Sequence, residues 1–250
     1  MKIFGTFIGI NKYISSDVSD LTGATRDAQA LWALFNDTFP EIRSRLLLDS
    51  EASCANIRNG ISDTLEVAES GDVAIVFFSG HGTRNHRLVA HDTVNDNNLN
   101  ETTISMKFLA DQFKESKAKV IICILDCCFS GGATAKVFSD TPSPRDVGDP
   151  FSEIRGKGRI FVAASSATQP AYEKPGSSHG LLTEAILKIL KNNESQVNIA
   201  TTIYDIIEIV QLEATRIGVE QTPVVASLIE GGLVFSFFSV WRKIFIALSR

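Results

Sequence analysis

The sequence is poor in cysteine, and its four residues, Cys54, Cys123, Cys127 and Cys128, include no C-x-x-C pair. Neither a disulfide framework nor a zinc ribbon is therefore indicated. This usage is typical of a reducing compartment, so we expect a cytoplasmic protein. The apolar segment at residues 1–9 is too short for a signal peptide, and we interpret it as a first buried strand.

The chain also lacks an excess of positive charge. It has 24 Lys and Arg against 29 Asp and Glu, a net charge of −5. Phosphate binding needs a surplus of basic side chains, so nucleic acid is excluded as the main partner. A hydrophobic fraction of 44% and a charged fraction of 21% are those of a globular protein rather than a disordered one. We predict one domain at residues 1–237 and a C-terminal extension at residues 238–250.

The one long apolar stretch, at residues 233–248, is interrupted by the adjacent charges of Arg242 and Lys243. Two charges in mid-segment would be costly in hydrocarbon, so a membrane-spanning helix is not indicated. Two interpretations stay open. The segment is either a last strand through Phe237 followed by a helix docked on the core, or a surface-lying anchor for a membrane or partner.

Short apolar segments rich in β-branched and aromatic residues predict buried strands. They lie at residues 3–10, 44–48, 72–78, 120–125 and 159–164, with a shorter one at 87–91. Their nearly continuous apolar character is typical of a parallel sheet covered on both faces. Between them, apolar residues recur at helical spacing in segments 24–35, 57–65, 104–113, 182–189 and 203–214. The alternation predicts an α/β fold, a three-layer α/β/α domain.

Two of the predicted strands end in residues suited to chemistry. His81 follows the strand at 72–78, and Cys128 follows the strand at 120–125. Open α/β sheets place their sites at the carboxyl ends of strands, so both side chains should meet at one edge. A thiol attacks as its thiolate, and an imidazole can activate it. We predict Cys128 as nucleophile, His81 as base, and the amides of Gly82 and Cys128 as an oxyanion hole.

These two segments resemble the catalytic core of the caspase-like cysteine peptidases. They read Phe78-Ser79-Gly80-His81-Gly82 and, with its cysteine 47 residues after the histidine, Asp126-Cys127-Cys128-Phe129-Ser130-Gly131-Gly132. Caspases carry their His about 50 residues before the nucleophile. The second segment is similar to the metacaspase motif Asp-x-Cys-His-Ser-Gly, with Phe129 in place of its His. The resemblance covers nearly the whole chain. It implies a six-stranded, mostly parallel caspase-like sheet and an endopeptidase in a regulated proteolytic or cell-death-like response.

Cys127 and Cys128 are adjacent, so either thiol could attack. At the end of an extended strand, neighbouring side chains point to opposite faces. Cys128 then shares a face with Asp126, and Cys127 points toward the helical layer. The metacaspase motif also aligns Cys128 with the nucleophile. We predict Cys128, with Cys127 as the alternative.

The resemblance also implies a substrate preference. In metacaspases the pocket for the residue before the scissile bond, P1, is acidic, and its residues match Asp27, Asp126 and Ser79, with Ala24 beside them. Such a pocket pairs with Arg or Lys. Leu21 stands where a caspase has an Arg for binding Asp, so a substrate Asp is not expected. The alternatives are helix-terminus electrostatics for Asp27 and a loop cap for Asp126.

Calcium binding, which many metacaspases need, is left open by this sequence. Asp92 and Asp96 stand in a suitable loop, but Asn100-Glu101 and Ala135 replace expected Asp residues. Oxygen ligands are therefore too few to predict a calcium site. We predict no required cofactor.

The remaining polar features have plainer interpretations. His86, His91 and His179 lack metal-ligand spacing, and we expect them to be structural or solvent-facing. Residues 138–157 show no periodicity and contain several Pro and Gly residues, which predicts a long exposed loop. That loop is either passive or, because it contains Arg, a site of self-cleavage by a basic-specific peptidase.

Two functions other than an active peptidase stay open. One is a catalytically weak caspase-fold module that serves as an interaction scaffold, against which the intact His81 and Cys128 count. The other is a redox sensor using Cys127 and Cys128. Adjacent cysteines can form only a strained bridge, which disfavours the sensor.

Overall fold

The computed structural model describes residues 1–94, 99–128, 151–152, 154–166, 169–173, 179–192, 197–229 and 234–235. The strands in these ranges are β1 (Ile3–Gly9), β2 (Arg43–Leu48), β3 (Val73–Ser79), β4 (Arg87–Val89), β5 (Thr103–Ser105), β6 (Val120–Asp126), β7 (Arg159–Ala163), β8 (Val197–Asn198), β9 (Val224–Leu228) and β10 (Val234–Phe235). The α-helices are α1 (Ala24–Thr38), α2 (Cys54–Glu66), α3 (Leu99–Thr102), α4 (Met106–Glu115), α5 (Leu181–Asn192), α6 (Ile199–Thr202) and α7 (Asp205–Arg216). One 3₁₀ turn, Asp49–Glu51, precedes α2.

Six strands form the main sheet in the order β2-β1-β3-β6-β7-β9. The first five run parallel, and β9 runs antiparallel to β7. The predicted six-stranded, mostly parallel α/β sheet is confirmed. The chain goes from β1 to β2 on one side and later to β3 on the other. Loops that leave the sheet at this reversal open a crevice beyond the carboxyl ends of the strands.

The core lies on both faces of the sheet, which explains the continuous apolar character of its central strands. All seven residues of β1, β3 and β6 are buried. Phe7 and Phe77 belong to the apolar cluster that includes residues of α1, α5 and α7. Their neighbours Ile8 and Phe78 belong to the cluster that includes residues of α2 and α4. Successive side chains of these strands therefore pack against opposite layers of helices.

One predicted helix begins later than expected. Ile104 lies in β5, which pairs with β4 in an antiparallel hairpin, and α4 starts only at Met106. The side chain of Ser105 accepts a hydrogen bond from the amide of Phe108 at 3.0 Å and so caps α4. The prediction of a helix from residue 104 is therefore wrong at its first turn.

The predicted exposed loop at residues 138–157 is also partly wrong. Phe151 and Ile154 are buried, and the Phe151 ring lies 5.0 Å from that of Phe161 between centroids. Apolar side chains at this point anchor the chain in the core before β7. Residues 138–150 and 153 lie outside the described residues, so self-cleavage there stays a prediction.

The C-terminal strand predicted through Phe237 does not extend the main sheet. In the described residues it is the two-residue β10, paired antiparallel with β8. Residues 236–250, including the predicted extension, lie outside the described part of the chain. Among described helices, none has the length and apolar character needed to cross a bilayer.

Candidate active site

The sheet brings the ends of β3 and β6 side by side. Ser79 lies opposite Asp126 in the register of these parallel neighbours, and the amide of Gly80 donates to the carbonyl of Asp126 at 3.3 Å. His81 and Cys128 leave the sheet at this same edge, two residues beyond each strand end. Both line one cavity of about 480 Å³. All seven predicted site residues line it, namely Ala24, Asp27, Ser79, His81, Gly82, Asp126 and Cys128.

Burial and two hydrogen bonds fix the side chain and backbone of His81. Its Nε2 lies 2.8 Å from the carbonyl oxygen of Ser19, and its amide donates to the hydroxyl of Tyr13 at 2.9 Å. A carbonyl only accepts, so in the neutral ring Nε2 carries the proton and Nδ1 the lone pair. Burial lowers the pKa of His81, and the bond to Ser19 opposes this only in part. The ring is therefore a neutral base at pH 7.

The sulfur of Cys128 is hydrogen-bonded to both backbone polar groups of Ala171. The amide of Ala171 donates to Sγ at 2.8 Å, and Sγ lies 3.2 Å from the carbonyl oxygen of the same residue. In the part of the chain that the structure describes, no hydrogen bond joins Sγ to His81. Burial raises the pKa of Cys128, the amide of Ala171 lowers it, and the charge of Asp126 raises it. The resting site therefore holds a neutral thiol beside a neutral imidazole.

Cys127 also lines the cavity, but it is buried among apolar side chains. Its side chain is 2% exposed and belongs to the apolar cluster on the α2 and α4 side of the sheet. Burial raises the pKa of Cys127 well above its ordinary range. Of the two adjacent thiols, Cys127 is buried and only Cys128 is partly exposed.

Asp27, in the first turn of α1, is a carboxylate held from three directions. It is 2% exposed. Its Oδ1 lies 2.8 Å from Nδ1 of His179, and its Oδ2 accepts from the Ser79 hydroxyl at 3.0 Å. The amide of Gly180 reaches both oxygens, at 3.3 and 3.4 Å. Burial raises the pKa of Asp27, and the bonds to His179 and Ser79 oppose that rise.

Asp126 is a second buried carboxylate on the same wall. Its Oδ2 accepts from the amide and the hydroxyl of Thr183, at 3.1 and 2.6 Å, and so caps α5. Burial raises the pKa of Asp126 to about 7, and the charge of Asp27 adds to the rise. Gly180 lies next to both carboxylates: its amide reaches Asp27, and a Cβ at this position would lie only 2.9 Å from Asp126 Oδ2. Two close carboxylates resist full ionisation until a cation enters between them.

The amides predicted to stabilise an oxyanion are open. Gly82 lies in an isolated antiparallel bridge, but the hydrogen bonds of that bridge are made by its neighbours His81 and Thr83. Within the described ranges, neither the amide of Gly82 nor that of Cys128 donates to a backbone carbonyl. Both N–H groups are therefore available at the cavity wall.

Some residues of the site were missed by sequence reasoning. Ser19 and Ala171 contribute backbone atoms, which carry no residue-type signal. Glu173 lines the cavity and accepts from the amide of Gly23 at 2.8 Å, and it was not among the predicted site residues. His179, expected to be structural or solvent-facing, is a hydrogen-bond partner of Asp27.

The calcium prediction remains untested. No three His, Cys, Asp or Glu side chains come together as a metal site among the described residues. The carboxylate of Asp92 accepts from the amide of Cys54 at 2.8 Å and so caps α2. Asp96 and Ala135 lie outside the described ranges.

Comparison with known proteins agrees with this architecture. The Caspase domain family model matches residues 5–230. The chain therefore belongs to the caspase-domain family.

Two relatives place the similarity among metacaspases. Metacaspase-6 of Arabidopsis thaliana is 30% identical over 161 residues, covering 57% of this chain and 43% of the relative. Metacaspase-4 of the same plant is 31% identical over 140 residues, covering 50% of this chain and 32% of the relative. The chain thus spans less than half the length of the curated relatives it matches.

Proposed function

We propose that this protein is a cysteine endopeptidase that hydrolyses peptide bonds after Arg or Lys, with Cys128 as nucleophile and His81 as base. One observation supports this most directly: a single cavity is lined by a partly exposed thiol, a buried imidazole and two buried carboxylates. Family membership supports the peptidase chemistry. The carboxylates Asp27 and Asp126 support the preference for a basic residue.

In the proposed reaction, Sγ of Cys128 attacks the carbonyl carbon of the scissile bond and its proton passes to Nδ1 of His81. The imidazolium gives that proton to the leaving amine as the C–N bond breaks, which leaves a thioester. A water molecule then attacks the thioester with Nδ1 as base, releases the acid and restores the thiol. The carbonyl of Ser19 keeps Nε2 protonated and stabilises the imidazolium while it exists.

Charge on the carbonyl oxygen in the tetrahedral intermediate needs donors that are already in place. The open amides of Gly82 and Cys128 supply two such donors, from the loops that follow β3 and β6. Removal of one oxyanion donor in an acyl-transfer enzyme typically costs about 10²- to 10³-fold in turnover. Both amides belong to the backbone, so this part of the site is insensitive to side-chain substitution.

The proposed P1 pocket is formed by Asp27, Asp126, Ser79 and Ala24. A guanidinium or ammonium group there would meet two carboxylates, and it would permit both to ionise. A substrate Asp would instead add a third negative charge to a buried site, which is strongly unfavourable. We propose this pocket as the basis of specificity.

The setting of the activity is also a proposal. All four cysteines are free thiols, which supports a reducing, cytoplasmic location. By similarity to metacaspases, we propose that the peptidase acts in a regulated proteolytic response.

A P1 scan tests this function. Fluorogenic peptides differing only in P1 (Arg, Lys, Gln or Asp) would be incubated with the wild type and with C128A, each with and without calcium. We expect cleavage after Arg and Lys at least about 100-fold faster than after Gln, none after Asp, and none by C128A. Cleavage after Asp, or an active C128A protein, would contradict the proposal. No cleavage of any peptide would favour the alternative, a caspase-fold interaction module.

A further inference from the structure

A short segment, residues 169–173, lies against the proposed nucleophile. We infer that this segment is a latch that keeps the Cys128 thiol unreactive in the resting protein, and that Gln221 is the positioning residue that holds the latch shut. The inference rests on the proposed role of Cys128 as nucleophile. It adds a resting state in which that role is suppressed.

The latch uses both hydrogen-bonding capacities of the thiol. The amide of Ala171 donates to Sγ at 2.8 Å, and the thiol proton has the carbonyl oxygen of Ala171 as its acceptor at 3.2 Å. That proton must instead reach Nδ1 of His81 for attack on a substrate. The hydrogen bond from the thiol to the Ala171 carbonyl therefore has to break before the proposed reaction can begin.

Gln221 ties the latch to the end of the sheet. Its side chain is 2% exposed. Oε1 accepts from the amide of Tyr172 at 2.8 Å, and Nε2 donates to the carbonyl of Ala164 at 3.0 Å. Ala164 directly follows β7. One buried carboxamide thus bridges the residue next to Ala171 and the rigid sheet.

A second carboxamide, that of Gln169, links the same two segments, but here the side chain belongs to the latch and the backbone amide belongs to the turn. The carboxamide oxygen of Gln169, inside the latch, accepts from the amide of Thr222 at 3.0 Å. The latch and the Gln221-Thr222 turn therefore exchange side-chain to backbone hydrogen bonds. Ser165 also binds the carbonyl of Gln169 at 2.7 Å. These contacts fix the start and the middle of the latch independently of Cys128.

The far end of the latch reaches the proposed P1 pocket. The carbonyl of Tyr172 accepts from the amide of Leu181 at 3.1 Å, and Glu173 pairs with Gly180 in an isolated bridge. Ala171, Tyr172 and Glu173 line the cavity together with Asp27. A peptide entering that cavity meets the latch directly, which offers a route by which substrate releases the thiol.

Thiol alkylation tests the latch without any peptide substrate. Iodoacetamide reacts with Cys128 by displacement of iodide, and mass spectrometry of the labelled peptide follows the rate; C128A gives the background. Gln221→Ala removes both carboxamide bonds, so we expect alkylation to accelerate by roughly tenfold. The midpoint of its pH profile should also move, because the burial of Cys128 and the bond from the Ala171 amide, which act on the pKa of the thiol in opposite directions, would both change when the latch is released. A purely structural role would leave that midpoint unchanged.

A matched control sits beside the same turn. Gln211 is exposed and donates to the Thr222 hydroxyl at 3.3 Å without touching the latch, so Gln211→Ala should leave alkylation unchanged. Gln169→Ala removes the hydrogen bond between the latch and the amide of Thr222, so it should also accelerate alkylation. This second variant tests the latch even if Gln221→Ala does not fold. Unchanged or slower alkylation in the folded variants would overturn the latch.

The latch and the proposed function fail in different ways. Faster alkylation in the Gln221 and Gln169 variants, with no cleavage after Arg by any variant, would support the latch and remove the proposed function. Cleavage after Arg with unchanged alkylation in both variants would support the proposed function and remove the latch.

Discussion

Replacement of Asp126 by Asn should stabilise the folded protein at pH 8 and weaken its activity on basic substrates. Asp126 is buried beside Asp27, and its pKa is raised to about 7. A carboxyl group whose pKa is higher in the folded state than in the unfolded state binds its proton more tightly on folding. The stability it contributes is complete at low pH and is lost as the pH rises toward 7. Ionised Asp126 therefore destabilises the fold at pH 8, and an uncharged Asn removes that cost.

The magnitude follows from the size of the rise. An Asp in an unfolded chain titrates near pH 3.9, so the rise is about three pH units, each worth about 1.4 kcal/mol. The gain on Asp126→Asn is then at most about 4 kcal/mol at pH 8 and below about 1 kcal/mol at pH 4. The Asn oxygen can still accept from Thr183, so α5 keeps its cap. In a chain of this size the gain corresponds to a rise in Tm of up to about 10 °C.

Urea unfolding at pH 4, 6 and 8 measures the change in the free energy of unfolding. Hydrolysis of peptides with Arg at P1 measures the change in activity. Asp72→Asn is a control of opposite sign. The amides of Lys2 and Glu69 hold the pKa of Asp72 below its usual range, so Asp72 stabilises the fold above that range and its loss should destabilise at pH 8. Asp126→Asn should also reduce cleavage after Arg by about 100-fold or more. A variant no more stable than wild type at pH 8, or equally stabilised at pH 4 and pH 8, would refute this reasoning.

Two further substitutions separate the parts of the site. Cys127→Ala should keep peptide hydrolysis within a few-fold of wild type because Cys127 lies in the apolar layer, whereas Cys128→Ala should abolish hydrolysis; loss of activity in Cys127→Ala alone would reassign the nucleophile. Gly180→Ala should lose cleavage after Arg and Lys because its Cβ would lie 2.9 Å from Asp126 Oδ2. Retained cleavage by a folded Gly180→Ala protein would place the basic side chain elsewhere.

The central strands were predictable because burial on both faces demands continuous apolar sequence. Every position of β1, β3 and β6 is buried, and the only buried polar side chains among them are Thr6, Ser79 and Asp126. The predicted start of the helix at Ile104 was wrong because a residue can satisfy helical spacing while it lies in a strand. Ile104 is buried in the β4–β5 hairpin, and it happens to lie four residues before Phe108. Ser105, a good N-cap residue, was the local signal for the true start of α4.

The side chains at the cavity were predictable, and their partners were not. His81, Cys128 and the two aspartates are residue types that chemistry selects, so strand ends and family resemblance pointed to them. Ser19 and Ala171 act through a carbonyl and an amide, which every residue type can supply. Gln221 was not among the predicted site residues. Its role depends on a contact with Tyr172 across 49 residues of chain, which no local pattern encodes.

The proposed P1 pocket joins segments that are very distant in the chain. The amide of Gly180 reaches Asp27 across 153 residues, and Glu173 reaches Gly23 across 150. Contacts of such separation form late in folding, after the intervening loops have closed. During translation, the thiol and the imidazole would emerge from the ribosome well before the amino end of α5, which anchors both carboxylates. A nascent chain would thus have no finished P1 pocket until Gly180 and Thr183 had been made, so the proposed activity would be absent during most of its synthesis.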